Sequence, residues 1–253
     1  MNTAAMTLRT EALSKKWGGF AANSDVSLTF QPGARHALIG PNGAGKTTFI
    51  NLLTGTFPPS VGKVWLGETD ITHLPQHQRV KLGLTRTFQI NNLFAGMTVL
   101  ESVVLAISER RGLQSVWYQT VASQSEVVEE AMALLASLKL TDEINSITRS
   151  MAYGKQRLVE IALALATKPS ILLLDEPAAG IPSAESRELF KVIAQLPRDV
   201  TVVFIEHDMG LVFRFADRIT VMVGGKVLTE GTPAEIAADP RVKEVYLGEA
   251  EHA

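Results

Sequence analysis

The chain has 253 residues, 46% hydrophobic, 20% charged and 6% aromatic, with 24 basic against 26 acidic side chains and a net charge of −2. That length buries a substantial core in one large domain or two closely packed ones. The balanced charge carries no global sign of a nucleic-acid binder, although a local basic patch is compatible with it. No cysteine is present, which removes disulfides, thiolate zinc sites and thiol nucleophiles and fits the cytosol. The stretch Met1–Thr10 lacks the apolar segment of a signal peptide. The strongest apolar runs, Ile161–Ala166 and Ile171–Leu174, fall well short of the ~18 residues of a spanning helix. The expectation is a soluble protein, or one joined to a membrane through partners.

In chain order, Val26–Phe30 alternates as a strand does, and Ala34–Ile39 is an apolar strand running into a Gly-rich turn. Lys46–Leu53 reads as a helix. Val61–Leu66 and Ile71 predict further strand, with turns at Pro58-Pro59 and Gly67. From about Thr98 to Ala166 the apolar spacing becomes three to four. It predicts helices over Val99–Ser108, Glu126–Leu140 and Arg157–Ala166. Ile171–Leu174 is a buried strand, Ala184–Gln195 an amphipathic helix and Val200–Ile205 another buried strand. Arg218–Val223 and Lys226–Leu228 flank Gly224-Gly225 as a hairpin. Alternating elements with apolar strands predict an α/β fold, a parallel sheet with helices on both faces, interrupted by a helical insert at about 90–165.

The chemistry begins at Gly40-Pro41-Asn42-Gly43-Ala44-Gly45-Lys46-Thr47, a full match to the P-loop pattern, continued by Thr48. Its glycines let successive backbone N–H groups turn inward around phosphate oxygens. The helix that follows adds its positive N-terminal end. Lys46 is placed for the β- and γ-phosphates, and the Thr47 hydroxyl for Mg²⁺. A Gly-rich turn with a solvated lysine is the bland alternative; the preceding apolar strand and following helix weigh against it. A second acidic site follows the strand Ile171–Leu174, where Asp175 and Glu176 stand at the end that faces ligand in open α/β sheets. Asp175 is placed for the Mg²⁺ shell and Glu176 as general base for an attacking water. Taken alone, the pair would read as an acidic turn capping the next helix.

With these residues in place, the chain resembles the ABC transporter ATPase family over essentially its whole length. The resemblance implies a P-loop NTPase core of ABC type with an N-terminal β subdomain and an inserted helical subdomain. In that scheme 1–253 is a single ABC ATPase domain, with the core in 1–89 and 166–253 and the helical subdomain in 90–165. By the same resemblance, Trp17 stacks on adenine. Gln89 in Thr87-Phe88-Gln89 contacts Mg²⁺ and the attacking water. Ala152, Tyr153, Gly154, Lys155 and Gln156, following Met151, form the signature that caps the partner's ATP. Ala178–Pro182 is the D-loop, and His207 lies near the γ-phosphate. The finer resemblance is to importer ATPases of the branched-chain amino-acid type. It rests on Arg86-Thr87-Phe88-Gln89, Ala152-Tyr153-Gly154, Asp175–Gly180, Ile205–Met209 and the tail Tyr246–Ala250.

The implied cofactors are ATP and Mg²⁺. The implied partners are a second ATPase in a mixed dimer, two membrane permeases that hold the chain at the cytoplasmic face of the plasma membrane, and, indirectly, an extracytoplasmic solute-binding protein; no nucleic acid is implied. The chain departs from the family pattern at four positions. Ala152 stands for the usual Ser, Tyr153 for Gly, Lys155 for Gln, and Pro182 for the Asp that ends the D-loop. A soluble ABC factor and a P-loop kinase are the competing classes. A single cassette without sustained heptads opposes the first, and the signature segment with His207 opposes the second.

Overall fold

The computed structural model describes the backbone of residues 6–87, 96–113 and 121–250, with the side chains of 121–124 and 247–250 excepted. Two compact units emerge. The first comprises the chain up to Thr85, Ser170–Pro177 and the chain from Leu196; the second comprises Arg86–Pro169 and Ala178–Gln195. The second unit takes in a helix, Ser183–Ala194, that the sequence division kept with the core.

The first unit holds two sheets. One is antiparallel and pairs β2 (Phe20–Val26), β1 (Leu8–Trp17), β5 (Val61–Leu66) and β6 (Thr69–Asp70) in that order, with β3 (Thr29–Phe30) also on β1. β1 and β2 form a hairpin whose two-residue turn is Gly18-Gly19, with Trp17 paired to Phe20 across it. The other sheet has the order β11 (Lys226–Gly231), β10 (Arg218–Val223), β4 (Arg35–Ile39), β9 (Thr201–Ile205), β8 (Ile171–Asp175) and β7 (Leu84–Arg86). Strands β10, β4, β9 and β8 run parallel, and β11 returns antiparallel on β10. β4 and β9 are buried along their whole length, as parallel strands covered on both faces must be. The helix α1 (Lys46–Thr54) follows β4, and one apolar cluster joins both sheets to it through Phe30, Leu38, Phe49, Leu53, Leu66 and Val203. Each fully buried Phe or Leu there stabilises the fold by roughly 1.5–3 kcal/mol. Four further helices, α2 (Gln76–Lys81), α7 (Met209–Phe215), α8 (Pro233–Ala238) and α9 (Pro240–Ala250), complete the first unit.

The second unit packs α3 (Val99–Arg110), α4 (Val121–Ser137), α5 (Tyr153–Ala166) and α6 (Ser183–Ala194). α3 starts at a reciprocal cap: Thr98 accepts from the Glu101 N–H while the Glu101 carboxylate accepts from the Thr98 N–H. Glu130 on α4 ties the helices together. Arg110 donates to both its oxygens at 2.9 and 2.8 Å, and Arg111 and Lys168 add contacts at 2.7 and 2.9 Å. Partial burial opposes the charge, yet hydrogen bonds from Arg110, Lys168 and Arg111 hold the carboxyl at about 2.

His36 in β4 is 1% exposed. Its Nε2 lies 2.7 Å from the Thr220 hydroxyl, its Nδ1 has no hydrogen-bond partner among the described residues, and its ring meets Phe30 edge-on at 4.8 Å. Burial, helped by the nearby Arg218 charge, pushes this imidazole down to about 4. The fold therefore holds it neutral, whereas the unfolded chain takes up a proton below about pH 6.5. The unfolded state binds more protons in that range, so stability is full above pH 6.5 and is lost down to about pH 4, on the order of 3 kcal/mol in all. Chemical denaturation between pH 7 and 4 is expected to show this loss, and His36→Leu to flatten that part of the profile. An unchanged profile in the variant would assign the acid sensitivity to other groups.

Candidate functional site: a phosphate-loop cavity

The loop between β4 and α1 is shaped by three glycines at positive φ: Gly40 at 145°, Gly43 at 77° and Gly45 at 92°. Two of them are also sterically required. A Cβ on Gly40 would lie 2.1 Å from the Met222 carbonyl oxygen, and one on Gly45 2.5 Å from that of Ala22. A Cβ on Gly43 would meet nothing within 4 Å, because that residue faces the open side of the loop. Lys46 is only 6% exposed, and its ammonium donates to the carbonyls of Gly40 at 2.6 Å and Pro41 at 3.0 Å. The Ala44 N–H closes a turn onto the Pro41 carbonyl at 3.1 Å. α1 begins with no side-chain cap at Gly45 and no acidic residue in its first turn. A helix start of this kind, without a side-chain cap or an acid, suits an anion.

The loop is buttressed from two strands. The Gly225 N–H, in the turn between β10 and β11, donates to the Ala44 carbonyl at 3.0 Å, and the Ser24 N–H donates to the Gly225 carbonyl at 2.9 Å. Asn23 in β2 is fully buried and donates from Nδ2 to the Gly45 carbonyl at 3.2 Å. Sequence reasoning took Gly224-Gly225 only as a hairpin turn and passed over Asn23. A lone buried amide in a strand has no pattern that would reveal it.

β8 and β9 deliver the acidic side. They run parallel with Asp175 beside Ile205, so Glu176 and His207 emerge next to each other just past the strand ends. The Glu176 N–H donates to the Ile205 carbonyl at 3.1 Å. Glu176 sits at φ 49°, a left-handed conformation rare for a side-chain-bearing residue and concentrated at functional sites. Its Oε1 lies 3.0 Å from His207 Nε2, both side chains being partly exposed. With Glu176 ionised, the imidazole Nε2–H donates to it.

A cavity of about 260 Å³ brings these groups together. Its lining comprises Asn42 to Thr48, Glu176, His207, Ala22 and Phe20. Gly40 and Pro41 do not line the cavity, and Asp175 is half-buried at the end of β8 without lining it. Trp17 does not line the cavity either. It is 52% exposed, meets Phe57 edge-on at 5.3 Å, and carries the Lys15 ammonium 4.3 Å from its ring centre. The aromatic side chain that reaches the cavity is Phe20, 65% exposed at the other side of the Gly18-Gly19 turn. Gln89 lies outside the described residues.

Ala152 to Gln156 belong to the second unit, where Ala152 is the uncapped N-terminus of α5. Ala152 and Tyr153 are exposed. Arg157 donates to the Tyr153 hydroxyl at 2.6 Å and stacks over its ring, and Tyr153 in turn packs beside Gly180. Gly154 is buried, since a Cβ there would lie 2.7 Å from a Glu185 carboxylate oxygen. Gln156 donates back to the Met151 carbonyl at 2.8 Å, and Lys155 reaches the Lys139 carbonyl at 3.5 Å.

The loop fits a polyphosphate: amide donors at an uncapped helix start, a buried ammonium and an open glycine face. Thr47 and Asp175 offer hard oxygen donors of the kind Mg²⁺ prefers. Comparison with known proteins agrees with this geometry. The family model described as ABC transporter matches residues 23–179, and the model described as branched-chain amino acid ATP-binding cassette transporter matches 226–252. The chain belongs to the ABC transporter ATP-binding cassette family. Members of this family hydrolyse ATP to power transport. Among its relatives is the high-affinity branched-chain amino acid transport ATP-binding protein LivG of Salmonella typhimurium, 42% identical over 96% of this chain and 98% of that protein. Another is the corresponding BraF of Pseudomonas aeruginosa, 40% identical with the same coverage. Among solved structures, an ATP-binding cassette of an ABC transporter in its ADP conformation superposes with a TM-score of 0.84 at 31% identity, over 96% of this chain and 99% of that one. A nucleotide-free cassette gives 0.82 at 32%, over 95% and 98%. Among the described residues, no helix is long and apolar enough to cross a membrane.

The buttress is testable away from the cavity. Gly225 has φ 77°, and a Cβ there would stand 2.6 Å from the Ala22 carbonyl oxygen. Gly225→Ala is expected to cost at least about 1–2 kcal/mol from backbone conformation alone. It should also weaken ATP binding through the displaced Ala44 peptide. Wild-type melting temperature and ATP affinity in this variant would show that the turn does not hold the loop.

Proposed function

We propose that this chain is the ATP-hydrolysing subunit of an importer for branched-chain or other hydrophobic amino acids, or related small organic solutes. It would work at the cytoplasmic face of the membrane, attached through two permease subunits and served by an extracytoplasmic binding protein. The observation that carries the hydrolytic reading is the Glu176–His207 pair, 3.0 Å apart on the wall of the phosphate-loop cavity. The solute class is supported by the similarity to LivG and BraF, both branched-chain amino acid transport ATP-binding proteins, and by the match of residues 226–252.

In this reading Gly40 to Thr48 hold the triphosphate, with backbone N–H groups and the Lys46 ammonium on its β- and γ-phosphates. Thr47 and Asp175, joined by Gln89, would hold Mg²⁺, which when bound neutralises charge on the phosphate oxygens. Glu176 takes a proton from water as the water oxygen bonds to the γ-phosphorus. The bond from that phosphorus to the bridging oxygen breaks, and its electron pair leaves with ADP. His207 holds the Glu176 carboxylate in place and lies beside the γ-phosphate. The base stacks on the aromatic end of the β1–β2 hairpin, Trp17 with Phe20. Two cassettes close face to face, so that Ala152 to Gln156 of this chain cap the ATP of the other. Ala152 offers no hydroxyl there and Pro182 no carboxylate, which favours a mixed dimer with a second ATPase over two copies of this chain.

Glu176→Gln keeps the shape and the contact to His207 but removes the proton acceptor. ATP binding is expected to survive while turnover falls at least ~100-fold. Steady-state hydrolysis within a few-fold of wild type would exclude Glu176 as the base. For the base platform, Trp17→Ala should weaken ATP binding by ~1–3 kcal/mol, the range of base–aromatic stacking, and Trp17→Phe should retain most of it. If Phe20→Ala carries that loss while Trp17→Ala binds normally, Trp17 is a packing residue held by Phe57 and Lys15.

A further inference from the structure

Asn23 is a polar side chain in a strand position with 0% exposure. Its Nδ2 donates to the Gly45 carbonyl at 3.2 Å, while its Oδ1 is buried with no hydrogen-bond partner among the described residues. The Gly45 carbonyl does not need this donor. It already accepts from the Phe49 N–H at 2.9 Å, the first intrahelical bond of α1. Packing does not demand an amide either: an apolar side chain of similar size would abolish an unpaired buried acceptor, a change that is near neutral or favourable. The amide is therefore poorly explained by stability alone.

Its consequence lies in the peptide it holds. In a trans peptide the carbonyl and the following N–H point in opposite directions, and no cis bond occurs among the described residues. Holding the Gly45 carbonyl toward Asn23 and the interior of α1 turns the Lys46 N–H the other way, out of the helix start and toward the mouth of the loop. A donor on the carbonyl also polarises the peptide and strengthens that N–H as a donor. Gly225 does the same for the peptide before it, through the Ala44 carbonyl. Crowding at this point is tight, since a Cβ on Gly45 would lie 2.8 Å from Asn23 Nδ2.

We infer that Asn23 is a positioning residue of the nucleotide site: its side-chain amide fixes the Gly45–Lys46 peptide so that the Lys46 amide hydrogen meets a phosphate oxygen. The inference rests on the nucleotide reading above and adds to it a residue outside the phosphate-loop motif. The test uses the full chain, with Mg²⁺-ATP and inorganic triphosphate as separate ligands, and the melting temperature without ligand. Asn23→Leu is expected to weaken both ligands by the same factor, about tenfold, because one aimed donor to a charged oxygen is lost. Its unliganded melting temperature should stay level or rise. Affinity within about twofold of wild type would overturn the inference. So would a loss of affinity that comes with a lowered melting temperature, since Asn23 would then be structural. If leucine is not accommodated, the smaller Asn23→Val is read by the same criteria, and failure of both to fold also overturns it. A wild-type chain that bound neither ligand would instead fail the nucleotide reading, before any variant is compared.

Discussion

A peptide chain that cradles an anion must turn several amide hydrogens to one side, and it can do so only if the carbonyls of the same peptide planes are held on the other. Much of the first unit serves that constraint. The Gly40 and Pro41 carbonyls are taken by the Lys46 ammonium, the Ala44 carbonyl by the Gly225 N–H, and the Gly45 carbonyl by Asn23 and the Phe49 N–H. These partners come from three elements: α1 itself, which gives Lys46 and Phe49, the β10–β11 turn, and β2. The two sheets therefore do more than supply a core. They bring a hairpin turn and an edge strand against the back of a glycine-rich loop whose own Lys46 holds only its first two carbonyls. The close approaches at Gly40, Gly45 and Gly225 follow from the same need, because a Cβ at any of them would press on a neighbouring carbonyl.

The far end of α1 is fixed with comparable care. Arg79 on α2 is 1% exposed, and its guanidinium donates to the Leu52 carbonyl at 2.8 Å, Leu53 at 2.6 Å, Thr72 at 2.8 Å and Leu74 at 2.9 Å. The first two are carbonyls from the last turn of α1. Burial pulls this group down to about 10, which leaves it charged at neutral pH. A cation at the C-terminus and an anion at the N-terminus are both favourable to the helix dipole. The close approach of Arg79 also requires Gly55 at the end of α1, where a Cβ would lie 2.7 Å from Arg79 Nε. α1 is thus pinned by its buried Phe49, Leu52 and Leu53 along its length and by a guanidinium at its end. A helix held this way presents its first turn in one orientation, which is what a phosphate site asks of it.

What the sequence made legible follows from how local each signal is. The phosphate loop, the strands β5, β8, β9 and β10 and the helices α1, α3, α5 and α6 stood out, because apolar periodicity and glycine punctuation are properties of a short window. Two helices start earlier than the apolar spacing indicated: α5 begins at Tyr153 rather than Arg157, and α4 at Val121 rather than Glu126. β1 was hidden because its outward residues, such as Arg9, Glu11 and Lys16, interrupt any apolar run, and bulges break its register against β2 and β5. The short α2 and α7 lack two full apolar turns. In the site, Glu176 and His207 could be named from the chain, but their 3.0 Å contact depends on the pairing of β8 with β9, which no local window contains. Asn23, Phe20 and Gly225 reach the loop only through tertiary packing and carried no motif of their own.

α3, α7 and α8 are capped by Thr98, Asp208 and Thr232, each accepting a backbone N–H. α1 and α5 begin at Gly45 and Ala152, and the short α2 at Pro75, with no side-chain acceptor and no acid in the first turn; α6 begins at Pro182 without a side-chain acceptor but with Glu185 in its first turn. Leaving first-turn amides uncapped costs a helix about 1 kcal/mol, and this chain caps other helices with residues that would serve equally well here. For α1 the omission matches a cavity that suits phosphate. For α5 it supports the proposed closure of two cassettes, in which the amides after Ala152 would meet the partner's nucleotide and make up in part for the missing hydroxyl. Tyr153 and Arg157 then decide how close that approach can be. Their hydrogen bond and ring stacking place a planar, partly exposed pair beside the helix start, and Gly180 leaves room for the ring. A serine-bearing loop with glycine at the Tyr153 position would leave this space open. In this chain the same surface carries an aromatic ring, with the Arg157 guanidinium over it and held by Glu160 at 2.7 Å.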